Sequence, residues 1–330
     1  MRFIPTTLLA LLLASAAAHA QVPKPAQPAR PAQVPRPAQP ARPAVPAKQT
    51  APSDDRAPTE DEELSIAALE SLMMQPSARA LPILKKVLAG SQSTLVKRRA
   101  LFVLAQIEAP EARDLLMQTA RTSPELRGDA IRSIGISGDT KLLDSLVGVY
   151  KTADGDGKKR IMEAWMIAGR KEPIYEIAST STSEEEVSQA IKLLGVMGAK
   201  EELHKLGDRP KQPRGLNDAY AISGDLDGLL KIVGGNGDQE TKVDAVSRIG
   251  IIGSDAARTA LREIYTKSTD PKIKDGALHG MLIAGDDKGV LALYRAAKTT
   301  DEKRSLLRML SMMNSDAAIE AIDATLEQKK

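Results

Sequence analysis

One hydrophobic pattern recurs nine times between Leu64 and the C-terminus, at intervals of about 30 residues. Self-similarity at that period predicts a stack of small units, each burying its apolar face only against its neighbours. Every unit reads as two short helices. The residue at which the first helix should stop is Pro76, Glu108, Gly138, Gly169, Gly198, Gly224, Gly253, Gly285 or Asn314. Seven of these nine are Gly or Asn, the residues that end a helix most easily in the left-handed conformation.

The columns around these stops are apolar. Four residues upstream stand Leu72, Leu104, Ile134, Trp165, Leu194, Tyr220, Ile249, Met281 and Leu310. Seven upstream the same holds except at Asn217, and eight upstream six units carry Ala. Spacings of three and four put these positions on one helical face, where alanines let neighbouring helices approach closely. Eight downstream, in the second helix, all nine residues are aliphatic, from Leu84 to Leu293 and Ile322. Asp156, Asp238, Asp270 and Asp301 precede first helices as expected caps. Bases recur eleven before the stop at Lys97, Arg127, Lys158, Lys242, Lys274 and Lys303, placed to form a ladder with turn aspartates. Single exposed pairs of this kind contribute little.

The Ala-x-x-x-hydrophobic core, the glycine stop, the turn Asp and the recurring base resemble HEAT repeats, particularly the short bacterial kind also found in phycobilisome lyase subunits. The resemblance covers roughly Leu64 to the end. It implies an all-α superhelix of the armadillo type, about nine helix pairs long. Second helices would line its concave surface, which in this family usually serves protein–protein contact. The scaffold hosts many unrelated roles, so function has to come from the surface itself.

The preceding segment has its own logic. Arg2, the apolar run Leu8 to Ala18 and the Ala18-His19-Ala20 triplet read as a secretory signal over 1–20, cleaved between Ala20 and Gln21. Its apolar stretch falls well short of the ~20 residues that span a bilayer. Residues 21–44 are a twelve-residue tandem, QVPKPAQPARPA then QVPRPAQPARPA, differing only at Lys24 versus Arg36. Such proline density predicts an extended, unstructured linker over 21–58. Lys24, Arg30, Arg36, Arg42 and Lys48 offer it a weak electrostatic contact with an anionic envelope surface. The solenoid itself is expected over 59–330, in the periplasm or secreted.

Charge and chemistry narrow the function. Six of the 46 Lys and Arg fall in residues 1–50 with none of the 43 acids, leaving 40 bases against 43 acids beyond. With aromatics at only 2%, nucleic-acid binding is excluded as an expectation. There is no Cys, and of three His one lies in the signal; His204 and His279 stand in different units without metal-type spacing. No cofactor is expected. Asp154-Gly155-Asp156-Gly157 opens like a calcium loop, but Lys158 and Trp165 occupy the places that need an acid or Asn and a Glu. Gly234 to Asp238 reads as a connector, and Arg127-Gly128-Asp129 falls inside a helix. Met73, Met74, Met309, Met312 and Met313 read as core. Tyr150 and Tyr265 edge the second-helix face or bury with satisfied hydroxyls. The link 207–215, with two prolines and a shortened fifth unit, reads as an irregular loop or a hinge that kinks the stack.

The leading expectation is an exported, non-enzymatic scaffold that binds another envelope protein along its concave face. Alternatives are an accessory subunit of an enzyme, akin to a chromophore lyase, and an envelope attachment protein acting through the Pro-rich arm.

Overall fold

The computed structural model describes residues 56–209 and 212–327. The expected signal, its Ala20–Gln21 cleavage site and nearly all of the Pro-rich arm lie outside them. Among the described residues there are eighteen α-helices and no strand. First helices are α1 (Glu60–Ser71), α3 (Thr94–Ala105), α5 (Arg127–Ser137), α7 (Gly155–Ile167), α9 (Glu184–Val196), α11 (Leu216–Ile222), α13 (Gln239–Ile252), α15 (Pro271–Ile283) and α17 (Thr300–Met313). Second helices alternate with them: α2 (Ser77–Ala89), α4 (Pro110–Thr122), α6 (Thr140–Thr152), α8 (Lys171–Thr180), α10 (Lys200–Gly207), α12 (Leu226–Gly234), α14 (Asp255–Lys267), α16 (Asp287–Ala296) and α18 (Asp316–Glu327).

The stops act as the sequence predicts. Gly138, Gly169, Gly198, Gly224, Gly253, Gly285 and Asn314 all have φ between +48° and +72°. Without a Cβ the six glycines turn the chain there at little cost. The two units lacking Gly or Asn end differently: α1 tightens into a 3₁₀ turn at Leu72–Met74, and α3 ends at Gln106 with Glu108 in the connector.

The apolar columns form one continuous core. Eight of nine residues four before the stop are buried, Leu72 being half-buried. Asn217, the polar intruder, is buried too, and its Nδ2 donates to Thr241 O at 3.2 Å and Asp244 Oδ2 at 2.8 Å in α13. It therefore pins two units together, which an unpaired buried amide could not do without a penalty of ~1–3 kcal/mol. The second-helix column fails at the end. Leu293 is half-buried beside fully packed Val290 and Tyr294, and Ile322 is exposed because α18 buries its alanines, Ala317, Ala318 and Ala321, instead.

Helix starts lie close to the expected places. Asp238 and Asp270 cap α13 and α15, whereas Asp156 and Asp301 sit inside first turns whose caps are Asp154 and Thr299. Asp154 accepts from Gly157 N at 2.8 Å, so the calcium-like tetrapeptide is a helix start. Gly234 to Asp238 connects α12 to α13, and Arg127-Gly128-Asp129 opens α5.

Charge rungs join successive units, in a register different from the expected one. The turn residue after the stop pairs backwards with the preceding second helix: Asp139 with Arg113, Arg170 with Asp144, Asp225 with His204 and Asp286 with Arg262. Three of the six bases eleven before the stop pair forward, with acids opening the next first helix: Arg127 with Asp154, Lys158 with Glu186, Lys274 with Glu302. A turn aspartate is consumed as the cap of its own second helix and faces the neighbour behind it, not ahead.

First helices touch one another over more of their length than second helices do. At three junctions the approach is backbone to backbone: a Cβ on Gly135 would lie 2.8 Å from Ala164 Cα, on Gly195 2.8 Å from Ala219 Cα, and on Gly250 2.8 Å from Gly280 Cα. These are α5/α7, α9/α11 and α13/α15. The intervening junctions, α7/α9, α11/α13 and α15/α17, place Met166, Ala221 and Leu282 where the close ones have glycine. The first-helix layer is therefore the more closely packed of the two.

The link 207–215 does not interrupt stacking: α11 packs on both α9 and α13. The shortened α10 of eight residues is as expected. Gln212 closes the loop by donating to Gly207 O at 3.1 Å.

Gly250→Ala should destabilise the protein by ~2–4 kcal/mol, because neither α13 nor α15 backbone can yield cheaply. Gly138→Ala meets no atom within 4 Å, and should cost only the ~1–2 kcal/mol of left-handed alanine. Urea unfolding of both variants compares them; equal losses would refute backbone contact at α13/α15.

Candidate protein-binding surface

Each first helix turns one side to the core and the other to solvent. Position two before the stop is ~200° round the helix from the core position four before it, hence on the outward side. Nothing in packing asks for an apolar residue there. Yet the row reads Met74, Gln106, Ile136, Ile167, Val196, Ile222, Ile251, Ile283 and Met312. The six Ile and Val residues are 43% to 56% exposed, Met312 57% and Met74 87%. β-Branched residues are weak helix formers, so six of them at solvent-facing helical sites do not serve helix stability. An exposed apolar row of this length marks a contact surface.

Sequence reasoning assigned methionines to the core. Met309 and Met313 do pack against it, but Met73, Met74 and Met312 are exposed. Met74 and Met312 belong to the outward row. The signal was present in the register: these residues stand two from the core column, on the opposite side.

One helical turn before this row runs a polar one: Glu70, Phe102, Arg132, Glu163, Lys192, Asp218, Ser247, His279 and Arg308. Glu70 is paired with Arg99, and Asp218 Oδ1 lies 3.0 Å from Arg248 Nε. Arg132, Lys192 and Arg308 have no ion-pair partner among the described residues. His279 is exposed on this row. His204 sits elsewhere, on α10, with Nε2 2.8 Å from buried Asp225 Oδ2.

The expected edge tyrosines serve the junctions. Tyr150 OH donates to Glu186 Oε2 at 2.9 Å while Lys158 Nζ donates to Oε1 at 2.7 Å and lies 5.3 Å from the ring centroid. The same trio recurs as Tyr265, Glu302 and Lys274, with both donors 3.3 Å from Glu302 Oε1 and the lysine 4.6 Å over the ring. Burial, then the Glu302 charge, pushes the Tyr265 hydroxyl up to about 12. The Lys158 hydrogen bond outweighs burial and holds Glu186 below the ordinary carboxylate range. Trp165 stacks beside Tyr150 at 5.7 Å and donates its Nε1 proton to Leu143 O at 3.1 Å.

The concavities lie between neighbouring helices. One, near the starts of α13 and α15, has an apolar floor of Leu230, Val233, Ile264 and Ile273 and a rim that includes Lys242, Glu263 and Asp270. No histidine lines it. Among the described residues no group of three or more His, Asp or Glu is placed to hold a metal ion, and no helix is long and apolar enough to cross a membrane.

A family profile described as HEAT repeats matches residues 84–165, from Leu84 in α2 to Trp165 in α7. Residues 84–165 are similar to HEAT repeats. The helix pairs outside the match keep the same stops and columns, so the repeat register extends across the described residues. No curated protein matches the chain. A solved chain from "Computational Design of Self-Assembling Cyclic Protein Homooligomers" is 17% identical over 81% of this chain and 99% of its own. Its TM-score of 0.14 is too low to carry an argument. HEAT repeats mediate protein–protein contact in general, and the outward aliphatic row is where this example departs from a merely solvated helix surface.

Because Glu186 titrates below its unfolded value of 4.5, its contribution is present above that pH and is lost as acid protonates it in the folded state. Glu186→Gln should therefore flatten part of the stability decline below pH 4.5, by roughly 1 kcal/mol. Thermal unfolding between pH 3 and 6 checks this; identical pH profiles for both proteins would remove the junction role.

Proposed function

We propose that the protein is an exported, non-enzymatic scaffold that holds another protein of the cell envelope along its first-helix layer. The observation that carries this reading is the row of exposed Ile, Val and Met residues, one per unit in eight of nine units. A solenoid has no single deep site. It binds by presenting the same kind of side chain at regular intervals along an extended surface. Burying a half-exposed Ile contributes ~1 kcal/mol, so six in register supply a specific affinity while each alone supplies little.

Export rests on the Arg2, Leu8–Ala18 and Ala18-His19-Ala20 pattern. The Pro-rich segment that follows is read as a spacer, with its bases at Lys24, Arg30, Arg36, Arg42 and Lys48 adding a weak attraction to anionic envelope surface.

Replacing Ile167, Ile222 and Ile251 together by Asp should leave the melting temperature within a few degrees, since these side chains are already solvated. The same triple variant should lose the crosslinked partners that the wild type captures in its own compartment. Retention of the same partners would overturn the reading. N-terminal sequencing of the mature protein should begin at Gln21; a chain retaining Met1 would remove the export claim.

A further inference from the structure

The concavity floored by Leu230, Val233, Ile264 and Ile273 marks a place where the repeat leaves out a side chain. We propose that it takes an aromatic side chain of a partner protein, the ring lying against the ammonium of Lys242. The site is flanked by second helices, so it goes beyond the first-helix reading above and stands without it.

The register shows what is missing. Five lysines stand eleven before a stop: Lys97, Lys158, Lys242, Lys274 and Lys303. Three lie against a tyrosine of the preceding second helix: Lys158 5.3 Å from the centroid of Tyr150, Lys274 4.6 Å from Tyr265 and Lys303 5.8 Å from Tyr294. Before Lys97, the thirteen-residue α2 has Leu88 at the tyrosine position, packed against the core. Lys242 follows a helix that supplies neither. α12 has nine residues against thirteen in α6 and α14, and it stops at Gly234. The place of Tyr150 and Tyr265, twelve after the stop, falls on Asn236, beyond the helix end. On a continued helix that residue would follow Val233 along one face, and Val233 lines the concavity.

The space is furnished for a ring. Its volume of about 640 Å³ lies in the range of clefts that hold a bulky group. Leu230, Val233, Ala260, Ile264 and Ile273 are each half-buried there, leaving aliphatic surface in water. Ile273 stands twelve before its stop, where Glu186 and Glu302 complete the two trios. The far wall is therefore apolar, and the ring needs no hydroxyl.

Net charge does not select the ligand, because the lining holds two bases, Lys242 and Lys267, and two acids, Glu263 and Asp270. Lys267 pairs with Glu263 at 2.8 Å, while Asp270 accepts from Gln239 and caps α15. Lys242 is half-buried and has no partner among the described residues. An aromatic face attracts an ammonium through its quadrupole and covers aliphatic surface at the same time. A leucine does only the second, and a carboxylate only the first. The concavity is open on its outer side, so a bound ring keeps its own backbone in solvent, as an anchor residue at a protein interface does.

Methyl-resolved NMR of the full chain tests this with three probes: N-acetyl-phenylalanine amide, N-acetyl-leucine amide and an end-blocked Ser-Gly-Phe-Gly-Ser peptide. The phenylalanine amide should shift the methyls of Val233, Ile264 and Ile273 and bind roughly fivefold tighter than the leucine amide. The peptide should bind at least as tightly, since its flanks stay outside. Lys242→Met keeps the stem and drops the charge; it should weaken the phenylalanine amide about three- to fivefold and leave the leucine amide unchanged. Ala260→Trp fills the concavity from within and should abolish binding of both. Each variant should keep the wild-type circular dichroism. Equal binding of the two amides overturns the inference, as does undiminished phenylalanine binding to either variant or shifts confined to methyls elsewhere. Rejection of the peptide by a protein that holds the amide overturns it too, being the behaviour of a closed small-molecule site. All these results leave the first-helix reading where it stands, because its test reads Ile167, Ile222 and Ile251.

Discussion

Everything in this molecule depends on neighbouring units burying each other's apolar faces. No helix pair has a core of its own. The fully buried side chains, among them Leu101, Ile131, Ile134, Trp165 and Tyr220, sit at the interfaces that first helices make with the units before and after. At three of those interfaces the polypeptide backbones themselves meet, which only Gly and Ala allow. That requirement explains the composition of the columns.

Polar chemistry is fitted into this plan without disturbing it. Turn aspartates cap their own helices and face Arg113, His204 or Arg262 of the unit behind; in one unit the arrangement is exchanged, with Arg170 in the turn and Asp144 on the helix. The tyrosine, lysine and glutamate trios close the looser junctions α7/α9 and α15/α17, and Asn217 closes the third. Where the backbone cannot come close, a hydrogen-bonded side-chain bridge stands instead. Such bridges contribute modestly to stability but fix register between units.

Much of this was legible from residue order. The helix stops could be read because Gly and Asn are chosen for a backbone conformation, and that choice does not depend on context. The core columns could be read because a period of three and four has one meaning on a helix. Two things escaped. The ladder register was misassigned because a carboxylate at a turn looks the same whether its cation precedes or follows it. The outward row is not legible from residue type alone, and Met74 and Met312 read as core, because an exposed apolar residue is a one-way exception to the rule that hydrophobic residues lie inside.

The alternation of junctions has a mechanical consequence. Gly-to-Ala and Gly-to-Gly seams bring α5 and α7, α9 and α11, and α13 and α15 into backbone contact, while α7/α9, α11/α13 and α15/α17 meet through Met166, Ala221 and Leu282 and are joined by side-chain hydrogen bonds. Under tension or torsion the compliance concentrates in those three places, so the chain behaves as a short series of stiff plates on springs. A ligand spanning several plates would clamp the springs, and its tightness would therefore be felt as stiffness far from either of its ends.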